Sequence, residues 1–428
     1  MNRDTYTDIP VKANLSGEAE IPGSKSITNR ALIISALATG KSVLRNALES
    51  IDTQVARTCL EQLGIGISLN GTDYTITGNG GKFKPCNDIL YVENAGTMAR
   101  FLIPLLLAGQ GEYTLDGNAR MRQRPLKDLL ESLRAGGCKL TDINGTGCLP
   151  LKITAGGFPG GRMEISGRNS SQYISALMMG APLAQRDLEI IIQDGLVSHT
   201  YVEMTAQVMA AFGADVDMSQ AGRIFIPKKR RFSPREYVIE ADASSASYFF
   251  AAAAITRGRV KVKNIFRNSL QGDLKMLDVL EQMGCEVVYG ADGITVQGGS
   301  LRAVDVNMNT MSDVAPTVAA VALFAEGQTR IWDAENMRIK ECDRISAVCT
   351  EFRKTGAQIE ELRDGFVITG NSAKTGAVFE TYDDHRMAMA LSLIGLRIPG
   401  VRVLDPGCTA KTFPDYFDVL FRLIASSP

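Results

Sequence analysis

Histidine is nearly missing from this chain, with two copies in 428 residues, and a His-rich zinc centre is excluded with it. The eight cysteines are scattered and form no Cys-x-x-Cys pair. That usage suits a reducing cytoplasm better than a disulfide framework. No long apolar run occurs. The longest, FLIPLLLA and YFFAAAAI, extend about eight residues, against the roughly 20 that a bilayer span needs. The N-terminal MNRDTYTDIP is polar and carries two acids, unlike a signal or transit peptide. An excess of either charge sign is also missing: 46 Lys and Arg against 47 Asp and Glu leave a net charge of −1. Nucleic acid and acidic membrane surfaces are therefore not expected partners. The expectation is a cytoplasmic globular protein.

What the chain does have is repetition. Near Ser26, Thr97, Ser171, Ser244, Asp313 and His385 a short polar, helix-capping cluster opens into an apolar, alanine-rich helix pattern. The recurrence is roughly 70 residues. A second echo, LEQLGI, LRAGGC, MAAFGA, LEQMGC and FRKTGA, reads as helix ends with Gly64, Gly137, Gly213, Gly284 and Gly356 just beyond. Strand-like stretches such as YTITG, LKITA, GITVQGG and GFVITG follow. One supersecondary unit used six times predicts an α+β fold with helices packed beneath sheets. The first helix of each unit is apolar nearly all round, which predicts burial. At 428 residues about two or three domains are expected. The reading is two domains of three repeats: residues 21–237, and residues 1–20 with 238–428. The division falls at IPKKRRFSPREYVIEAD, whose Lys228–Arg231 run reads as a solvated loop or crossover rather than a nucleic-acid patch.

Cations stand where elementary electrostatics disfavours them. A positive charge in a helix's first turn meets the dipole's positive end, at a cost of about 0.3–1 kcal/mol unless an anion compensates. Lys25 and Arg30 surround the first opening, Arg100 the second, His385 and Arg386 the sixth. Free N–H groups at six helix starts and these cations together point to an anionic ligand. Arg120, Arg122 and Arg124 alternate as in an extended segment, with Pro125 set to start the next helix. Lys340 and Arg344 lie four apart, hence on one face if helical, with Glu341 between them. Lys411 lies near the C-terminus, and Ser170, Ser171 and Gln172 offer donors for phosphate or sugar-like hydroxyls. Asp383 and Asp384 could serve Arg386 as local partners. The Thr39–Ser42 string TGKS is a decoy: the glycine that a phosphate loop requires is Ser35 here, and no strand precedes it.

The strings GSKSITNRAL, NAGTMAR, RMRQRPLKDLL, SSQYISAL, DASSASYF, NMRIKECDR, DDHRMAMALSL and DPGCTAKTFPDYF are similar to the 5-enolpyruvylshikimate-3-phosphate synthase family of enolpyruvyl transferases. The similarity runs from about Ile21 to Phe421. It implies two domains of three βαβαββ units facing each other across a ligand cleft. It implies transfer of the enolpyruvyl group of phosphoenolpyruvate to the 5-hydroxyl of shikimate 3-phosphate, by addition and elimination, with no cofactor and no metal. By the same resemblance Lys25, Asn94, Gly96, Arg124, Gln172, Arg344, His385, Arg386 and Lys411 hold phosphoenolpyruvate. Shikimate 3-phosphate falls to Lys25, Ser26, Arg30, Ser170, Ser171, Gln172, Ser198, Tyr201, Asp313, Asn336 and Lys340. Asp313, Glu341 and Lys25 are implied as catalytic: Asp313 as base for the hydroxyl, Glu341 for proton traffic at the methylene carbon, Lys25 assisting. Without the resemblance, Asp313 reads as an ordinary helix N-cap and Glu341 as a surface ion pair. Glyphosate is implied as an inhibitor, and the expected state is a monomer.

The chain departs from the family pattern in three places. Ser50-Ile51-Asp52 has one acid fewer, Ser198-His199-Thr200-Tyr201 lacks the usual Lys or Arg and Pro, and Phe101 replaces a proline. Gly96 is retained, so sensitivity to glyphosate is expected. Three rivals stay open at this level. UDP-N-acetylglucosamine enolpyruvyl transferases typically carry a reactive cysteine that Gly111–Pro125 lacks. An RNA 3′-phosphate cyclase relative would centre on a catalytic histidine. A non-catalytic repeat scaffold would explain the periodicity but not the cations at helix starts.

Overall fold

The computed structural model describes residues 5–228 and 231–427; Lys229 and Arg230 of the basic run lie outside them. Among the described residues twelve α-helices follow in chain order: α1 (Lys25–Leu37), α2 (Ile51–Gln62), α3 (Gly96–Ala108), α4 (Lys127–Ala135), α5 (Ser171–Gly180), α6 (His199–Ala211), α7 (Ala243–Thr256), α8 (Met276–Gln282), α9 (Ala315–Ala322), α10 (Arg344–Arg353), α11 (His385–Gly395) and α12 (Tyr416–Ser426). The odd-numbered helices are the apolar runs of the sequence. Of these, α7, α9 and α11 are buried along their whole length and pack against one another. Apolar and small residues on all sides explain this, because such helices leave no face that needs water.

The even-numbered helices are the polar partners. Five of them end at the predicted glycines, each in the left-handed region: Gly64 at φ +88°, Gly137 at +92°, Gly213 at +90°, Gly284 at +105° and Gly356 at +80°. Only glycine takes that backbone without strain, and the turn redirects the chain from helix into strand.

Each helix pair is joined to its own sheet. In the second repeat the strands Ile89–Tyr91 and Glu112–Asp116 run parallel. Leu151–Thr154 is antiparallel to the latter, and Lys139–Asp142 closes the edge. This is a βαβαββ unit, and the fifth repeat copies it with Asp305–Asn307, Gln328–Trp332, Gly365–Thr369 and Ile359–Leu362. The third and sixth repeats build three-stranded sheets instead. In the first and fourth repeats the opening strand comes from elsewhere in the chain. Glu236–Val238 pairs parallel to Val43–Arg45 of the first, and Ser16–Ala19 pairs parallel to Arg259–Val262 of the fourth.

The chain thus divides into two compact units, one of Gly23–Ile239 and the other of Met1–Pro22 with Glu240–Pro428. Each has three buried helices under three sheets, an α+β organisation. Among the described residues no helix is long and apolar enough to cross a membrane.

Candidate active site

In the Gly23–Ile239 unit, α1 begins with Ser24 as cap, its hydroxyl taking the Ile27 N–H. Lys25 is therefore the first helical residue, and its ammonium pairs with Asp52 of α2 at 3.5 Å. The missing acid of the Ser50-Ile51-Asp52 string is thus not the one Lys25 uses: Ile51 faces outward and Asp52 is buried. One turn on, Arg30 is sealed inside. It donates to Thr205 Oγ1 at 2.7 Å, to the Ser26 carbonyl at 2.9 Å, to the Tyr201 carbonyl at 3.2 Å and to Ser175 Oγ at 3.4 Å. Its guanidinium lies 5.3 Å from the Phe101 ring centre and 5.8 Å from that of Tyr201. Burial pushes its pKa down to about 10, so it stays charged at neutral pH.

Arg124 is also buried and donates to both the carbonyl and Oδ1 of Asn94, each at 3.1 Å. Gly96 packs directly against it. A methyl there would stand 2.6 Å from Arg124 Nη2 and 2.6 Å from Arg100 Nη1, too close for any real contact. Arg100 in turn donates to the Gly96 carbonyl at 2.7 Å and to the Pro125 carbonyl at 3.0 Å. Ser170 caps α5 by accepting the Gln172 N–H, and the Gln172 amide reaches Thr97 Oγ1 at 3.4 Å. Ser198 precedes α6 in the left-handed conformation, φ +52°. The arginine string is not an extended segment: Met121–Gln123 is a 3-10 turn. That turn swings Arg122 out to Asp116 at 2.5 Å and leaves Arg124 as its one buried cation.

In the other unit a dense charge network forms around Asp313. The residue is not the N-cap of α9; it sits in a 3-10 turn, Ser312–Val314, and Val314 occupies the cap position. Its carboxylate accepts from Arg386 at 2.7 Å and Arg344 at 3.2 Å, with Lys340 at 3.6 Å. Arg344 binds three carboxylates: Asp313, Glu341 at 2.8 Å and Asp384 at 2.8 Å. Burial pulls the Arg344 pKa down, but Asp384, Glu341 and Asp313 outweigh it and hold the guanidinium above its ordinary value. Glu341 is buried with this network, not placed in a surface pair. Lys340 and Arg344 do not share a helix face. Lys340 has extended backbone at the end of the 3-10 turn Glu335–Ile339, and α10 starts only at Arg344. They converge because Asp313 draws both.

Asp384 caps α11 by accepting the Arg386 N–H at 2.9 Å, while its side chain serves Arg344. The Arg386 guanidinium goes to Asp313 instead. His385 is buried beside Asp384 at 3.7 Å, Asn336 donates to Ser312 Oγ at 3.2 Å, and Lys411 is buried at the end of the 3-10 turn Pro406–Lys411. Sequence reasoning missed Asp273, which lies in the 3-10 turn Gly272–Lys275 and accepts the Ser244 hydroxyl. Burial first, and the Asp313 charge second, raise its pKa to about 6. No local pattern marks it; a single Asp after glycine is an ordinary turn.

Two carboxylates, Asp313 and Glu341, therefore bracket different nitrogens of one buried guanidinium. Such a pair can take and return protons at two nearby atoms of a bound substrate, and the surrounding cations can hold phosphate and carboxylate groups. Similarity to known proteins agrees. The profile of the EPSP synthase family (3-phosphoshikimate 1-carboxyvinyltransferase) matches residues 10–420. The chain belongs to the EPSP synthase family. Relatives named 3-phosphoshikimate 1-carboxyvinyltransferase include that of Trichormus variabilis, 46% identical over 424 residues, covering 98% of this chain and 99% of the relative. That of Klebsiella pneumoniae is 45% identical over 415 residues, covering 96% and 97%. An EPSP synthase structure from Acinetobacter baumannii shares the fold, with a TM-score of 0.82 at 24% identity and 98% of both chains covered.

Proposed function

We propose that the protein transfers the enolpyruvyl group of phosphoenolpyruvate to the 5-hydroxyl of shikimate 3-phosphate, releasing phosphate. The reaction is an addition followed by an elimination. The hydroxyl oxygen attacks the central carbon of phosphoenolpyruvate while its methylene carbon gains a proton. The tetrahedral adduct then loses phosphate and returns a methyl proton, restoring the double bond. Asp313 takes the hydroxyl proton, with Arg344, Arg386 and Lys340 around its carboxylate. Glu341 serves the methylene proton, with Lys25 assisting. The observation that carries this reading is the sharing of Arg344 by Asp313 and Glu341. It supplies two acids for two proton transfers.

Binding follows the charges. Lys25, Asn94, Gly96, Arg124, Gln172, Arg344, His385, Arg386 and Lys411 hold phosphoenolpyruvate. Lys25, Ser26, Arg30, Ser170, Ser171, Gln172, Ser198, Tyr201, Asp313, Asn336 and Lys340 serve shikimate 3-phosphate. Arg30 does so from inside, as a buried charge that ties α1 to α5 and α6 and fixes the Ser26 and Tyr201 backbone. Glyphosate, an anion competing with phosphoenolpyruvate, inhibits because Gly96 keeps the space before Arg124 clear. The protein acts as a monomer in the cytoplasm.

Phosphate release is the test. The protein with both substrates should liberate phosphate and form one enol-ether product, whereas either substrate alone should give nothing. Phosphate release from phosphoenolpyruvate with UDP-N-acetylglucosamine, and none with shikimate 3-phosphate, would refute the assignment.

A further inference from the structure

A second buried carboxylate lies on the helix that Arg344 opens. Glu351 sits on α10, seven positions after Arg344, hence on the same helix face two turns on. It is fully buried. A carboxylate shut off from water must be hydrogen-bonded, and three donors meet it. Lys354 Nζ donates to Oε2 at 2.6 Å, the Glu380 N–H to Oε2 at 3.0 Å, and the Tyr382 hydroxyl to Oε1 at 2.6 Å. Two of the three come from the segment Glu380–Asp384 that leads into α11.

That segment is strained. Tyr382 and Asp383 are consecutive non-glycine residues in the left-handed region, φ +57° and +53°. Each is strained there unless its surroundings hold it. The next three residues are Asp384, which grips Arg344, then His385 and Arg386. Helix α10 thus clamps the segment twice, through Arg344–Asp384 at one end and Glu351–Tyr382 and Glu351–Glu380 at the other. We propose that Glu351 is a positioning residue for the enolpyruvyl transfer. Its bonds hold the left-handed turn at Tyr382–Asp383 and so fix Arg344 and Arg386 in the geometry that phosphoenolpyruvate requires. The inference rests on the assignment of those two arginines to phosphoenolpyruvate.

Three full-length variants test it. Glu351→Gln removes the charge that faces Lys354; its carbonyl can still accept from Lys354 and the Glu380 N–H, but its NH2 must donate to the Tyr382 hydroxyl, so the charge-assisted bonds that hold the segment become neutral ones. Tyr382→Phe deletes one hydroxyl and leaves Glu351 its other two donors, so this variant folds. Arg386→Ala probes the assignment itself. The expected result is a KM for phosphoenolpyruvate raised about tenfold by Glu351→Gln and about threefold by Tyr382→Phe. KM for shikimate 3-phosphate should move less than about twofold, and kcat less than about threefold. Adding Tyr382→Phe to Glu351→Gln should cost little more, because the two act through one bond. A lowered melting temperature with unchanged KM for phosphoenolpyruvate in both clamp variants overturns the proposal, provided Arg386→Ala does raise it. If Arg386→Ala leaves that KM unchanged, the assignment of the arginines fails, and the proposal falls with it. Should Glu351→Gln not fold, Tyr382→Phe decides alone.

Discussion

Asp313 and Glu341 share a guanidinium, yet their surroundings differ. Asp313 faces three cations, whereas Glu341 meets Arg344 and lies deeper. Asp313→Asn and Glu341→Gln should each lower turnover at least about a hundredfold in the phosphate-release assay, the ordinary worth of a positioned acid or base. Near-normal turnover in both would remove the two carboxylates from the chemistry. Arg124→Ala should raise KM for phosphoenolpyruvate by roughly ten- to a hundredfold, since a hydrogen bond to a charged group contributes about 1.5–3 kcal/mol. An unchanged KM would mean that this arginine serves the fold alone. Asp273 gives a prediction in pH. Its folded pKa of about 6 lies above the ordinary 3.8, so between those values the folded state binds more protons than the unfolded one. Stability from this group therefore falls as pH rises from about 4 to 6 and stays reduced above. Asp273→Asn should make the protein more stable at pH 7, by up to about 3 kcal/mol, with the gain shrinking towards pH 4. Arg386, Asp242 and Asp313 also act on this carboxyl, and denaturant titrations at the two pH values read the difference.

Among elements, the helix-ending glycines were the most legible feature of the chain, because a left-handed C′ position selects glycine by sterics that need no tertiary context. Gly137 is the cleanest example: φ is +92°, and a Cβ there would meet nothing within 4 Å. Gly137→Ala should then destabilise by about 1 kcal/mol through backbone strain alone, seen as a shifted urea midpoint with an unchanged slope. Helix starts were less legible. The capping residues Ser24, Ser170, Asp242 and Asp384 do cap, but α3 begins after Ala95 and α9 after Val314, with no side-chain cap. Thr97 and Asp313 looked like caps because short polar residues before apolar runs usually are. Here tertiary partners claim them instead: Gln172 for Thr97, and the two arginines for Asp313.

For the whole molecule, the consequential feature is the exchange of opening strands between distant parts of the chain. Ser16–Ala19 completes the sheet of the fourth repeat, and Glu236–Val238 completes that of the first. A chain beginning at Pro22 would leave Arg259–Lys263 as a bare sheet edge and would take Leu15 and Ala19 out of the core. It should unfold the Glu240–Pro428 unit at lower temperature while the Gly23–Ile239 unit keeps its own transition. Calorimetry checks this; a single unshifted transition would show that the strand contributes little.

The amino-acid order alone determined the repeat, the burial of the alanine-rich helices, the helix-ending glycines and the family, because each depends on local sterics or on contiguous strings. It also exposed cations at helix starts, which physics marks as unusual wherever they occur. Only the tertiary structure decided how those charges are satisfied: that Asp384 holds Arg344 rather than Arg386, that Lys340 and Arg344 meet through Asp313 and not along a helix, and that Asp273 and Glu351 belong to the story. Those pairings join residues 27 to 73 positions apart, and no periodicity along the chain encodes which carboxylate a given guanidinium will find once water has been expelled around it.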